Sequence, residues 1–114
     1  MNIGTSEMKK YEKSVVSFDK SAEAKYKRNP DFILREIAGE YVLVPGGSAV
    51  AEFNGLASLN ETGVFLWNLL GQTRTMRELS EGLAAKYELT KEQSHADVAD
   101  YLEVAVTRGL VRKL

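Results

Sequence analysis

A chain of 114 residues is one domain's worth of sequence, large enough to bury a core without staples. Its 44% hydrophobic and 27% charged residues are ordinary for a globular domain, and the absence of cysteine excludes a disulfide framework, thiolate metal ligation and a cysteine nucleophile. The formal charge of -1 hides a split, because residues 1–29 carry seven Lys/Arg against four Asp/Glu, whereas residues 30–114 carry eight against twelve.

In chain order, residues 1–30 read as a weakly structured basic extension. Val15, Val16 and Phe18 form one short apolar knot, and Ser21 to Lys27 has room for a helical turn or two. Asn29-Pro30 is the expected boundary, because the residue before proline is pushed out of the helical region. Met1 to Lys10 lacks the apolar core of a signal peptide, and no long uncharged apolar run follows. A cytoplasmic protein without a membrane span is expected.

The domain is expected over 31–114. Phe32 to Ile37 and Tyr41 to Val44 are rich in β-branched and aromatic residues, with Ala38-Gly39 between them as a tight turn. Pro45-Gly46-Gly47 ends the second strand. A second hairpin is expected from Ala49 to Phe53, through Asn54-Gly55, to Leu56–Leu59, since Asn-Gly suits a type I′ turn. Three or four short antiparallel strands therefore lie between Phe32 and Leu59.

Three helices follow. Asn60 caps the first, with Glu61 at its positive end, and Val64, Phe65, Leu66, Trp67, Leu69 and Leu70 cover most of its circumference, as in a central core helix. Gly71 is placed to close it. Thr75-Met76-Arg77-Glu78 and Thr90-Lys91-Glu92-Gln93 are capping boxes that open the second and third helices. Val98, Leu102 and Ala105 make the core stripe of the third helix, Gly109 ends it, and Leu110 and Val111 either pack back or add a strand. The order predicts an α+β domain, winged helix-turn-helix-like, with an N-terminal antiparallel sheet followed by three helices.

Catalytic chemistry is not expected. His95 is the single histidine and has no companion ligands, so no metal or cofactor is anticipated. Glu78 with Glu81, and Asp97 with Asp100, read as solvated helix faces. Gly46-Gly47 is no phosphate loop, and Ser58 and Ser94 lack a nucleophile-elbow context.

Around the third helix, Asp97, Tyr101, Val104 and Arg108 form a mixed stripe beside the core stripe. That stripe either widens the core or walls a groove. The short strand Leu56, Ala57, Ser58, Leu59, if it lies at a sheet edge, is a template for an added peptide strand, unless the N-terminal extension or a second copy in a homodimer covers it.

These segments resemble the PqqD-like family, the RiPP recognition elements. Phe32 to Pro45 is similar to the family's opening hairpin. Phe53 to Trp67, with Leu59-Asn60-Glu61 at the sheet-to-helix joint, resembles its most recognisable segment, and Thr75 to Tyr87 and Val98 to Leu110 fit its later helices. The resemblance spans roughly Asp31 to Val111. It implies a non-catalytic adaptor that binds the leader of a ribosomally made precursor peptide as an added strand. The adaptor then presents the leader to a modifying enzyme, often a radical SAM protein. On this chain the guest would meet Leu56, Ala57, Ser58, Leu59, Asp97, Tyr101, Val104 and Arg108.

Two rivals remain. A winged-helix DNA-binding regulator would read DNA with the third helix. From Lys91 to Arg108 that helix has two basic residues against Glu92, Asp97, Asp100 and Glu103, which disfavours contact with a polyanion. A scaffolding subunit that binds no peptide is the other.

Overall fold

The computed structural model describes residues 23–47 and 57–114. The strands are β1 (Lys25–Arg28), β2 (Phe32–Ile37), β3 (Glu40–Pro45), β4 (Ala57–Leu59), β5 (Arg74–Thr75) and β6 (Val111–Lys113). The helices are α1 (Glu61–Leu69), α2 (Met76–Tyr87) and α3 (Lys91–Thr107). Among the described residues these strands make two three-stranded antiparallel sheets, ordered β2-β3-β4 and β5-β1-β6, packed with the three helices. The fold is α+β, as expected, and is compatible with a winged helix-turn-helix plan.

The first hairpin forms where the β-branched and aromatic runs on either side of Ala38-Gly39 predict it. Ile37 pairs with Glu40 across a two-residue turn in which Ala38 and Gly39 have φ of 53° and 81°. Positive φ at both positions is the type I′ geometry, which matches the twist of the flanking strands. Gly39 adopts it freely, whereas Ala38 does so against its Cβ. Phe32 and Leu43 point inward to the core, as does Ala57 on β4. The expected second hairpin, Ala49 to Gly55, lies outside the described residues, as does Leu56. β4 pairs with β3, Val42 facing Ser58.

The caps are as the sequence predicts. Asn60 Oδ1 accepts from Gly63 N at 2.9 Å. Thr75 and Glu78 exchange capping-box bonds at 3.0 and 2.9 Å, and Thr90 and Gln93 do so at 3.1 Å each. α2 ends on Glu88 in the left-handed region, and a three-residue joint leads into α3. The buried Ser94 hydroxyl donates to the Ser80 carbonyl and ties α3 to α2. Leu66, Trp67 and Leu70 of the first helical segment meet Leu79 and Leu83 of α2 and Val98, Leu102 and Ala105 of α3 in one core.

Three expectations need correction. Lys25–Arg28 is a strand within the segment that the sequence presents as weakly structured with room for a helical turn over Ser21–Lys27, and Asn29-Pro30 does not mark the start of the fold. β1 is the central strand of its sheet, pairing Tyr26 with Arg74 on one side and with Lys113 on the other, and Tyr26 is only 8% exposed. Its partners lie far along the chain, so no local pattern announces it. Leu110 and Val111 are buried, and Val111 opens the strand that pairs with β1. Gly71 follows the α1 cap but is not in the left-handed region; the positive-φ glycines among the described residues are Gly39, Gly47 and Gly109. Gly71 instead makes room, since a Cβ there would lie 3.3 Å from Arg28 Cζ.

Candidate functional site

The pairing register decides which backbone groups of β4 face outward. Ile37 and Glu40 flank the two-residue turn and are therefore a hydrogen-bonded pair, and such pairs alternate along an antiparallel ladder. Glu40, Val42 and Val44 then direct their N–H and C=O groups to β2, while Tyr41 and Leu43 direct theirs to β4. Pro45, without an N–H, falls opposite Phe32 at a position that needs no bond to β2. Tyr41 faces Leu59 and Leu43 faces Ala57, so Ala57 and Leu59 are committed to β3. Ser58 is the residue of β4 whose N–H and C=O point away from β3, toward the edge of the sheet as formed by the described residues.

A groove of about 630 Å³ lies between β4 and α3. Ala57, Ser58 and Leu59 form one wall, and Tyr101, Val104, Ala105 and Arg108 form the other. The hairpin tip at Gly39–Tyr41 and the joint at Asn60 and Glu61 also line it. The joint is tight because residue 63 is glycine: a Cβ there would lie 3.2 Å from Asn60 Oδ1 and 3.4 Å from Leu59 Cβ. Gly63 thus lets α1 start directly under the strand and keeps the groove open at that end.

Two apolar side chains on the groove are uncovered, Val104 at 55% and Tyr41 at 40% exposure. Tyr101 is half-buried against the core, and burial pushes its phenol well above the usual tyrosine range, so it stays neutral. It therefore both widens the core and walls the groove, which the sequence reading treated as alternatives.

Of the expected site residues, the groove brings together Ala57, Ser58, Leu59, Tyr101, Val104 and Arg108. Leu56 lies outside the described residues. Asp97 does not line the groove; it lies in an adjoining hollow of about 420 Å³ with Asn60, Thr62, Asp100 and Tyr101. α3 carries it past the groove mouth, because Asp97 stands one turn before Tyr101. Sequence reasoning missed Tyr41, Glu40, Glu61 and Leu110. Only the Tyr41–Leu59 pairing, across 18 residues of chain, brings the hairpin tip to the groove, and no local signal encodes that register.

Among the described residues no group of His, Cys, Asp and Glu is arranged to hold a metal ion. His95 is half-buried on the far side of α3 beside Met76, Ala99 and Val106, and burial lowers its pKa. A sheet edge beside a partly apolar groove can hold an extended chain.

The sequence matches the family model described as coenzyme PQQ synthesis protein D over residues 33–111. The chain belongs to the PqqD family. PqqD proteins take part in the biosynthesis of PQQ and of other ribosomally made, modified peptides, as accessory non-catalytic proteins that bind a precursor peptide and partner enzymes. No curated protein and no solved structure gives a significant match. The PqqD match takes in β2 to β4, all three helices and the groove between them, but starts after β1. No helix among the described residues is long and apolar enough to cross a membrane.

Proposed function

We propose that this PqqD-family chain is a cytoplasmic peptide-binding adaptor without catalytic activity of its own. It captures the leader of a precursor peptide as a strand added to the β4 edge, and presents it to a modifying enzyme of the radical SAM kind. The observation that carries this reading is the outward-facing Ser58 backbone beside an apolar groove walled by Tyr101 and Val104.

The energetics divide the work between backbone and side chains. Two hydrogen bonds to Ser58 contribute together about 1–3 kcal/mol net, which by itself is a millimolar-or-weaker interaction. The remainder comes from covering Val104 and Tyr41, which a monomer leaves exposed at some cost. A guest residue directly opposite Ser58 shares its face and points to solvent. The residues on either side of it share the face of Ala57 and Leu59 and point into the groove. Recognition of an extended chain thus needs no catalytic group and no cation-rich helix, in keeping with the acidic character of α3.

The test is a titration of the labelled protein with the leader of the precursor peptide encoded nearest its gene, followed by backbone amide shifts. Shifts at Ser58, Leu59, Tyr101 and Val104 are expected. Ser58→Pro removes the outward N–H and is expected to abolish binding with the other amides little changed, whereas Ala57→Pro removes an N–H committed to Leu43 and is expected to disrupt the sheet. Shifts confined to α2 and the β5-β1-β6 sheet would place the guest elsewhere and overturn the reading.

A further inference from the structure

The groove is charged unevenly along its length. At its Asn60 end stand Glu61, next in the chain, and Glu40, which the Tyr41–Leu59 register brings opposite Asn60. The adjoining hollow, which shares Asn60 and Tyr101 with the groove, adds Asp97 and Asp100. All four carboxylates are on exposed residues. Arg108 is the only Lys or Arg lining the groove among the described residues. It lies seven residues beyond Tyr101 on α3, about 10 Å further along the helix axis. That length corresponds to roughly three residues of an extended chain.

We infer that the groove reads charge as well as shape, selecting peptides in which two apolar residues at alternate positions are flanked by a basic residue at the Asn60 end and an acidic residue at the Arg108 end. This rests on the strand-addition reading above and deepens it by stating which peptides fit. The alternation follows from the pleat, since only the residues on either side of the one opposite Ser58 face α3. One groove-facing side chain meets Leu59, Tyr41 and Tyr101. The other meets Ala57, whose small side chain leaves room, and Val104. The charge gradient then fixes direction: a peptide laid in the opposite sense would put its basic residue beside Arg108 and its acidic residue among four carboxylates. Backbone pairing alone does not distinguish a guest from its reversal or from a shift by two residues. The charges at the two ends do.

The experiment is selection of displayed random peptides on the immobilised full-length chain, with affinities of the enriched peptides measured in solution. Enriched peptides are expected to carry apolar residues at i and i+2, a Lys or Arg on one flank and an Asp or Glu on the other, always in the same order along the peptide. Asp97→Asn/Asp100→Asn is expected to weaken them about five-fold at low salt, an effect lost near 1 M salt. Asp97→Lys/Asp100→Lys is expected to select an acidic residue where the original selects a basic one. Peptides that bind through Ser58 but show no charge order, with Asp97→Asn/Asp100→Asn indifferent, would overturn the inference and leave strand addition standing. Enrichment of apolar residues at i and i+3 or i+4 would mean that the groove takes a helix, and both readings would fall. Binding that Ser58→Pro does not affect would likewise sink both.

Discussion

The guanidinium of Arg28 lies over the ring of Trp67, 5.5 Å from its centroid, and Arg28 Nη1 donates to the Trp67 carbonyl at 3.1 Å. One side chain thus joins the middle strand of the β5-β1-β6 sheet to the core helix α1, and Gly71 leaves the space for it. The pair predicts graded losses. Trp67 is 2% exposed, so Trp67→Ala is expected to cost about 3–5 kcal/mol and to leave little folded protein. Arg28→Ala, which loses a cation–π contact and one hydrogen bond, is expected to cost about 1–2 kcal/mol. Urea unfolding measures both, and a fully stable Trp67→Ala protein would show that this aromatic is not core.

The hairpin turn carries a correctable strain. Ala38 holds φ at 53° in a position that favours glycine or asparagine. Ala38→Asn and Ala38→Gly are each expected to stabilise the protein, Asn by about 1 kcal/mol and Gly by somewhat less because it also loosens the unfolded chain. Ala38 is exposed and its turn is at the groove's edge, so the comparison of unfolding midpoints is best made without peptide. A loss of stability in both variants would contradict the type I′ assignment.

β1 makes the segment before Pro30 part of the fold. A chain starting at Asp31 lacks the strand that holds β5 and β6, and loses the buried Tyr26 ring. It also loses the bonds of Asn29, whose N–H and Nδ2 donate to the Leu110 and Gly109 carbonyls at 2.9 and 3.0 Å. We expect such a chain to be less stable by at least about 3 kcal/mol than one starting at Glu23, or not to fold. Equal denaturation curves for the two would show that β1 contributes nothing.

Burial holds His95 below its usual pKa of 6.5. The unfolded chain therefore takes up its proton first as pH falls. Between about 6.5 and the lower folded value the unfolded state binds more protons, so stability declines as pH drops through that window and is not restored below it. His95→Gln, which cannot titrate, is expected to flatten that part of the melting-temperature profile between about pH 7 and pH 5. An unchanged slope would assign the acid sensitivity to other groups.

What the sequence determined by itself is the local architecture. The β-branched and aromatic runs Phe32 to Ile37 and Tyr41 to Val44, with Ala38-Gly39 between them, are enough for a hairpin, because such residues suit a pleated, half-buried surface and the turn sets the pairing. Thr75–Glu78 and Thr90–Gln93 place two helix starts to the residue, because capping is a short-range bond between side chain and backbone. The stripe Val98, Leu102, Ala105 announces the buried face of α3, because residues three and four apart share one side of a helix. The tertiary structure alone decided the rest. Lys25–Arg28 is a strand only because Arg74–Thr75 and Val111–Lys113, distant in the chain, offer their edges on both sides. Its Lys-Tyr-Lys-Arg sequence has no strand signature. The groove is likewise a product of register: Ser58 points outward and Tyr41 reaches Leu59 because β4 meets β3 in one alignment and no other. Such pairings close loops whose entropic cost is met by contacts far away in sequence, and no window of neighbouring residues contains both halves of the bond.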